Sequence, residues 1–166
     1  IEAYNLPQGV ISHMYRDIAA HNIGTITTVG LYTFADPRNG GGKLNDCTTE
    51  DLVKVINIEG KELLLYKAFP INVVFLRASY ADEYGNCTVH REIGPIDVTA
   101  MAQACKNSGG KVIVQVEKIV QGGSLDPKLV AIPGIYVDSI VVGSIEDNEQ
   151  CLGMPYDGSL TGEFRI

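Results

Sequence analysis

The hydrophobic and polar positions of this chain form two helical stripes set among strand-like segments. Apolar residues recur at three- and four-residue spacing, which is the pattern of a helix that buries one face. The first stripe comprises Ile11, Met14, Tyr15, Ile18 and Ala19, and the second comprises Val98, Met101, Ala102 and Cys105. Asn22 and Gly24 follow the first stripe, and Asn107-Ser108-Gly109-Gly110 follows the second, as typical helix stops. We predict two amphipathic helices.

The segments between the stripes have the character of strands. Residues 25–33 alternate and contain β-branched side chains and Gly30, which predicts a strand with possible loop character. Residues 53–58 and 63–69 flank a Glu59-Gly60-Lys61 turn, which predicts a hairpin. Residues 71–78 are apolar enough for a strand that is buried on both faces.

The order of the elements in the second half predicts the fold class. The 71–78 strand, the second helix, a glycine turn and a β-branched strand at 112–116 follow one another, and a final strand is expected at 135–142. This order is typical of a crossover unit in a parallel sheet, so we expect an α/β protein. Residues 35–43 read as a loop, Thr48-Thr49-Glu50-Asp51 as the cap of a short helical turn, and the polar, glycine-rich residues 145–166 as a tail or linker.

Composition and charge narrow the range of functions. A chain of 166 residues with 45% apolar content has the size and core of one domain. The net charge of −7 argues against nucleic-acid binding, which usually needs a basic face. An acidic protein can still hold a polyanion through a local patch, for which the candidates are Arg38, Lys43, Lys67 and Arg77.

The cysteines and the ends of the chain bear on its location. The four cysteines, at positions 47, 87, 105 and 151, form no Cys-x-x-Cys pair, which argues against zinc and thioredoxin-like sites. Their even number allows disulfides in a secreted protein, but we favour free thiols in a reducing cytoplasm, because so apolar a core needs no disulfides. No apolar run has the ~18 residues of a membrane span. The first residues include neither an initiator Met nor a signal peptide, which suggests a processed piece, a cloned domain or a fragment.

Several residues invite a chemical reading and a structural one. Gly40-Gly41-Gly42-Lys43 lacks the spacing of a phosphate-binding loop, so we favour a surface loop. His13, His21 and His90 are scattered without metal-ligand spacing, which favours structural roles and no metal site.

Gln8 and Glu83 are two polar residues that each allow either a chemical or a structural role. Gln8 lies just before the first helix. Its amide can donate to a carboxylate or carbonyl oxygen, or it can serve only as a turn residue where the helix begins. Glu83 stands in a Gly-Asn turn after a strand and is either a nucleophilic carboxylate or a solvated turn acid.

An ordered set of short motifs resembles the first, alpha-type half of family I coenzyme A transferases, especially the propionate and acetate CoA-transferases. The matching segments are Pro7-Gln8-Gly9, 29–34, Asp36-Pro37-Arg38, 41–45, Lys67-Ala68-Phe69-Pro70, 81–86, 106–110, 114–117 and 132–138. The resemblance implies a three-layer α/β sandwich around a mainly parallel sheet, here incomplete. Residues 1–144 would form part of the alpha-type domain, and 145–166 would lead toward the missing second half.

The resemblance also implies a reaction and its site. Family members move CoA between carboxylic acids in a ping-pong reaction through a glutamyl-CoA thioester, with the CoA thioester as substrate and no separate cofactor. Gln8 and Gly9 match the segment that contacts substrate. The nucleophilic glutamate of the family lies in a Glu-x-Gly-x-x-Gly segment of the beta-type half. Glu83-Tyr84-Gly85 only imitates the start of that segment, so we assign no catalytic residue to this chain. Asn86 and Gln115 match family positions without an implied role.

We therefore expect a fragment or subunit of an acyl-CoA:carboxylate CoA-transferase that is inactive alone. Its expected partners are acyl-CoA, a carboxylate acceptor, the beta-type half and further copies of itself, without nucleic acid or membrane. The alternative is a non-catalytic ligand-binding or assembly domain, because fold alone does not fix function. A sugar-phosphate isomerase of the same general fold is a third possibility that no motif supports.

Overall fold

The structure, a computed structural model, describes residues 1–144, 146–151 and 153–164. The chain divides into two compact units, Ile1–Pro70 and Ile71–Ile166. Among the described residues, no helix has the length and apolar character that crossing a membrane would require.

The first unit packs one helix on a three-stranded antiparallel sheet. Strand β3 lies between β1 and β2, and the predicted hairpin is confirmed, with Glu59 and Gly60 at positive φ in its turn. Val10 and Met14 of the helix pack with Leu64 and Tyr66 of β3. The elements are α1 (Gln8–Ala19), β1 (Gly24–Thr27), β2 (Val53–Ile58) and β3 (Lys61–Lys67).

The first helix is confirmed, with its buried face centred on Val10, Met14 and Ile18. It ends at Ala19, earlier than the predicted stops. His21 takes up a left-handed conformation, with φ 58°, directly after the last turn.

The predicted strand at 25–33 is wrong beyond Thr27. The chain turns instead, because the Tyr66 hydroxyl donates to the Val29 carbonyl at 2.9 Å and the Asp36 carboxylate accepts from the Tyr32 amide at 2.9 Å. Asp36 also caps a short 3-10 helix at Pro37–Asn39. No helical turn forms at 48–51, where buried Thr48 accepts from the Ala3 amide at 2.8 Å through its hydroxyl.

The second unit contains a parallel sheet in the order β10-β7-β4 and a mixed sheet in the order β8-β5-β6-β9. Helix α2 connects the two halves of the predicted crossover, and β7 pairs in parallel with both β4 and β10. The α/β class is thereby confirmed. The elements are β4 (Val73–Arg77), β5 (Tyr80–Asp82), β6 (Cys87–Thr88), α2 (Val98–Asn107), β7 (Lys111–Val116), β8 (Lys118–Val120), β9 (Val130–Ile132) and β10 (Ser139–Val142).

The core of the second unit lies between α2 and one face of the parallel sheet. Ala102 and Cys105 of the helix belong to one buried cluster with Leu76, Val112 and Val114 of the strands. The prediction that residues 71–78 are buried on both faces is wrong. Their alternate side chains point away from α2, and Phe75 remains 77% exposed. The predicted strand at 135–142 begins only at Ser139, after a 3-10 helix at Gly134–Tyr136.

The described residues after β10 pack against earlier parts of the second unit. A 3-10 helix covers Glu146–Asn148, and the buried Gln150 side chain donates to the Arg91 carbonyl at 3.2 Å. Positions 145, 152, 165 and 166 of the predicted linker lie outside the described residues. The division at 144 stays a prediction.

Candidate functional site

Gln8 is the first residue of α1 and is exposed. Its Nε2 donates to the Ser12 hydroxyl at 3.2 Å, one helical turn ahead. Pro7, at the N-cap, provides no side-chain cap, and the first turn contains no acidic residue. A Cβ added at Gly9 would meet no heavy atom within 4 Å apart from its chain neighbours and the backbone of its own helix. The Val10 and Ile11 amides already donate to the Pro7 carbonyl, at 2.9 and 3.1 Å. The Gln8 and Gly9 amides precede the first intrahelical bonds and are the ones suited to a hydrogen-bond acceptor.

The triple-glycine loop supports the segment that leads into Gln8. The Asn5 amide donates to the Gly42 carbonyl at 2.7 Å, and the Gly42 amide donates to the Phe34 carbonyl at 2.9 Å. Gly42 has φ 77°, and a Cβ there would lie 2.6 Å from the Asn5 carbonyl oxygen. Only glycine fits this close approach, so the loop has a structural role beside the helix entrance.

The proposed basic patch consists largely of paired cations. Arg38 binds the buried Asp36 through Nη2 at 2.6 Å and Glu62 at 2.8 Å, and its guanidinium holds the pKa of Asp36 well below the usual range. Lys43 pairs with Asp51 at 2.6 Å. In the other unit, Arg77 lies 3.2 Å from Glu92. These pairs weaken the attraction of the three cations for a polyanion.

Glu83 is exposed and has a structural partner. Its Oε2 accepts from the Gly122 amide at 3.0 Å. The buried acid of the same turn is Asp82, which accepts from the amides of Tyr84 at 3.0 Å, Asn86 at 2.9 Å and Gly123 at 3.2 Å. The geometry favours the reading of the 82–86 segment as a braced turn.

Asn86 and Gln115, which had no role by sequence, both connect separate segments. Asn86 donates through Nδ2 to Asp82 at 3.0 Å and accepts from the Gly134 amide at 3.0 Å. Gln115 donates to the Asp147 carbonyl at 2.9 Å. Arg77 donates to the Asn148 carbonyl at 2.9 Å. Gln115 and Arg77 thus hold the residues that follow β10.

A cavity of about 460 Å³ in the second unit was missed by sequence reasoning. It adjoins Glu117 and Gly143, which follow the carboxyl ends of β7 and β10, the usual place for ligands in parallel sheets. Arg91 lies 3.4 Å from the centre of the Tyr156 ring and 3.0 Å from a Glu117 oxygen. The contributing residues are up to 76 positions apart in sequence and form no local motif.

The histidines and cysteines of the described residues show no arrangement for metal binding. His90 lies edge-on to Tyr80, with ring centres 4.9 Å apart, and burial lowers its pKa. All four cysteines are free thiols, and burial raises the pKa of Cys87 to about 12. Across the described ranges, no group of His, Cys, Asp and Glu side chains could hold a metal ion.

Comparison with known proteins identifies relatives over nearly the whole chain. The chain is 51% identical over 164 residues to caffeate CoA-transferase of Acetobacterium woodii, covering 96% of this chain and 31% of that protein. It is 27% identical over 144 residues to a probable coenzyme A transferase subunit alpha of Bacillus subtilis, covering 85% of this chain and 54% of that one.

A solved structure agrees with these sequences. The acyl-CoA transferase YdiF of Escherichia coli O157:H7, solved as a thioester complex with CoA, matches with a TM-score of 0.93 at 43% identity. The match covers 100% of this chain and 32% of YdiF. The chain thus spans about a third of the length of caffeate CoA-transferase and of YdiF, the two longer relatives. The predicted CoA-transferase fold is confirmed.

The family model described as coenzyme A transferase matches residues 1–143. That range contains the open entrance of α1, the braced 82–86 turn and the parallel sheet. The chain belongs to the coenzyme A transferase family.

Proposed function

We propose that this chain forms the alpha-type part of an acyl-CoA:carboxylate CoA-transferase that moves CoA between short-chain carboxylic acids. The observation that carries the CoA-transferase activity is the 51% identity to a caffeate CoA-transferase over almost the whole chain. The short-chain substrates are proposed from the 42% identity to YdiF of Escherichia coli, an acetate CoA-transferase. The match to a separate alpha subunit supports the alpha-type assignment. The two longer relatives are about three times as long as this chain, so these residues alone are expected to be inactive.

The proposed reaction has two half-reactions on one glutamate. The glutamate carboxylate attacks the thioester carbonyl and expels CoA as a thiolate, which leaves an acyl-glutamyl anhydride. The thiolate then attacks the glutamyl carbonyl and releases the first carboxylate, leaving glutamyl-CoA. The acceptor carboxylate repeats these steps in reverse. We place this glutamate in the beta-type half, outside this chain.

Gln8 and Gly9 are the proposed substrate contacts. The Gln8 amide is exposed and its bond to Ser12 is 3.2 Å long, so this neutral donor can exchange Ser12 for a carboxylate or thioester oxygen. The open space at Gly9 supports a close approach of substrate to the helix entrance. We also propose that the protein is cytoplasmic, that it associates with further copies of itself, and that it uses a CoA thioester as substrate without a separate cofactor.

The glutamyl-CoA intermediate provides the test. The protein at its full natural length is incubated with acetyl-CoA, reduced with borohydride and mapped by peptide mass spectrometry. Reduction of a glutamyl thioester marks the glutamate permanently, and we expect the mark outside residues 1–166. A mark on Glu83 contradicts the placement of the nucleophile. No mark, together with binding of sugar phosphates in preference to CoA, contradicts the proposed function.

A further inference from the structure

The loop at residues 29–36 of the first unit presents two aromatic side chains to solvent. Tyr32 is 74% exposed and Phe34 is 53% exposed. A single exposed apolar side chain is common on proteins, but neighbouring ones form an apolar patch, and such patches often bind ligands or partners. We call Tyr32 and Phe34 the aromatic pair.

The backbone of Tyr32 is strained and is held in place by charged neighbours. Its φ of 63° lies in the left-handed region, which disfavours residues with a bulky side chain. The buried Asp36 carboxylate accepts from the Tyr32 amide at 2.9 Å, and Arg38 binds Asp36 at 2.6 Å. The Arg38 guanidinium also lies 5.1 Å from the centre of the Tyr32 ring. The loop is therefore fixed around an unfavourable conformation.

Folding alone does not account for a tyrosine at this position. Glycine adopts a left-handed backbone without strain, and a ring as exposed as that of Tyr32 buries little apolar surface in the first unit. Strained residues of this kind cluster at active sites and ligand-binding sites, where the fixed conformation prepares a side chain for contact. The strain at Tyr32 is thus evidence for a ligand contact.

Backbone hydrogen bonds connect the loop to the segment that leads into Gln8. The Phe34 carbonyl accepts from the Gly42 amide at 2.9 Å, and the Gly42 carbonyl accepts from the Asn5 amide at 2.7 Å. Asn5 lies in the segment just before α1, which begins at Gln8. These bonds fix Phe34 relative to the start of the helix.

Packing brings the same loop against the first turn of α1. Leu31, which directly precedes Tyr32, packs with Leu6 on the buried cluster that contains Val10. Leu6 and Val10 stand on either side of Gln8 in the sequence. The aromatic pair therefore adjoins the helix entrance where Gln8 is the proposed substrate contact.

We propose that Tyr32 and Phe34 contact the apolar carbon chain of the acyl group and so favour butyryl-CoA over acetyl-CoA as the donor. This inference rests on the proposed function, in which the Gln8 amide binds a carboxylate or thioester oxygen. The carbon chain attached to that group then reaches the neighbouring aromatic side chains, whereas an acetyl group has only one methyl group to offer. Each methylene that leaves water favours binding by about fourfold, so two methylenes give a preference on the order of tenfold.

The donor selectivity of the protein at its full natural length tests this inference. The ratio of kcat/KM for butyryl-CoA to kcat/KM for acetyl-CoA is measured with propionate as the acceptor. In a ping-pong reaction each of these values reports only the half-reaction of the donor. We expect the ratio to fall by about fivefold or more in Tyr32→Gly and in Phe34→Ala. Ile58→Ala is the matched control and should keep the parent ratio, because Ile58 is 45% exposed at the end of β2 in the same unit.

A stability measurement separates a ligand contact from a role in folding. Tyr32→Gly relieves the strain at φ 63°, so its midpoint of urea denaturation should be no lower than that of the parent. A fall in the ratio without loss of stability supports the contact. A lower midpoint with an unchanged ratio shows that the tyrosine serves the fold and overturns the inference.

Three kinetic results also overturn it. Unchanged kcat/KM for both donors in Tyr32→Gly and Phe34→Ala shows that the aromatic pair touches no substrate. Equal losses with the two donors identify a contact with the rest of the protein instead of the acyl group. A similar fall of the ratio in Ile58→Ala shows that the effect is not local. Any of these results with an active parent enzyme leaves the proposed function intact, whereas a parent that transfers CoA from neither donor overturns both.

Discussion

At the scale of single residues, the Gln8 side chain contributes little to the stability of the fold. Its side chain is exposed and its only described side-chain partner is Ser12. A solvated amide contributes at most ~1 kcal/mol to folding. Gln8→Ala should therefore leave the unfolding free energy nearly unchanged. In the full-length enzyme, the same change should lower turnover roughly ten- to a hundredfold, equivalent to ~1.4–2.7 kcal/mol of transition-state binding.

Ser12→Ala is the matched control for Gln8→Ala. It removes the same 3.2 Å hydrogen bond from the other side but leaves the amide free to meet substrate. Steady-state kinetics and chemical denaturation should separate the two variants. Equal turnover in Gln8→Ala and the parent protein would contradict the proposed substrate contact and leave Gln8 with a structural role only.

Asp82 is the residue of the 82–86 turn whose loss should matter for folding. Burial raises its pKa, but the bonds from Asn86, Gly123 and Tyr84 outweigh burial and lower the pKa overall. Asp82→Asn would set an amide N–H₂ against buried N–H donors. Unpaired buried groups cost about 1–3 kcal/mol each, so we expect a loss of ~2–3 kcal/mol in urea denaturation. Glu83→Gln keeps the acceptor for the Gly122 amide and should change stability by less than ~0.5 kcal/mol.

At the scale of elements, Asp138 connects α2, β7 and β10. Its carboxylate accepts from the Val112 amide at 2.9 Å, from Lys106 at 3.0 Å and from Lys111 at 3.1 Å. These contacts, led by the Val112 amide, hold the pKa of Asp138 well below the usual range. A depressed pKa means that the stabilisation is present above the unfolded-state pKa of ~3.9 and is lost as pH falls through the folded value.

Asp138→Asn should therefore lower stability at neutral pH and flatten the decline of stability below pH ~4. Equilibrium urea unfolding between neutral pH and the lowest pH at which the protein stays soluble measures both effects. The control is the exposed Asp126, which accepts from the Lys128 amide in a local turn. An acid profile of Asp138→Asn as steep as that of the parent would contradict the role assigned to these contacts.

The elements that sequence reasoning predicted are those with strong local signals. The 3.6-residue stripes locate α1 and α2, and the hairpin follows from alternation around Glu59-Gly60. The strand at 25–33 fails because its end is set by Tyr66, 37 positions from Val29. The short helix at Pro37–Asn39 had a readable signal, an Asp cap before Pro at its first position.

At the scale of the whole molecule, ion pairing weakens the attraction of three of the four predicted patch cations, Arg38, Lys43 and Arg77, for a phosphate. Each of Arg38, Lys43 and Arg77 has an acidic side chain at ion-pair distance, and sequence alone shows the cations without these partners. The motifs identified the family correctly, and the role of Gln8 stays a prediction. The cavity beside Arg91 depends on residues brought together only by the fold. Long-range placement is the information that a single sequence lacks.

The proposal that the nucleophilic glutamate lies outside this chain leads to a last prediction, about Glu83. An essential nucleophile cannot be replaced by its amide without loss of nearly all turnover, because the covalent path is closed. Glu83 already has a structural partner in the Gly122 amide, and Gln retains an oxygen for that bond. Glu83→Gln in the full-length enzyme should thus keep CoA transfer within about threefold of the parent rate, a change of under ~0.7 kcal/mol in the barrier. The assay follows transfer from acetyl-CoA to a second carboxylate, with Gln8→Ala as the impaired reference. A collapse of turnover in Glu83→Gln with unchanged unfolding would place the reactive carboxylate on this chain and would overturn the proposed arrangement of the active site.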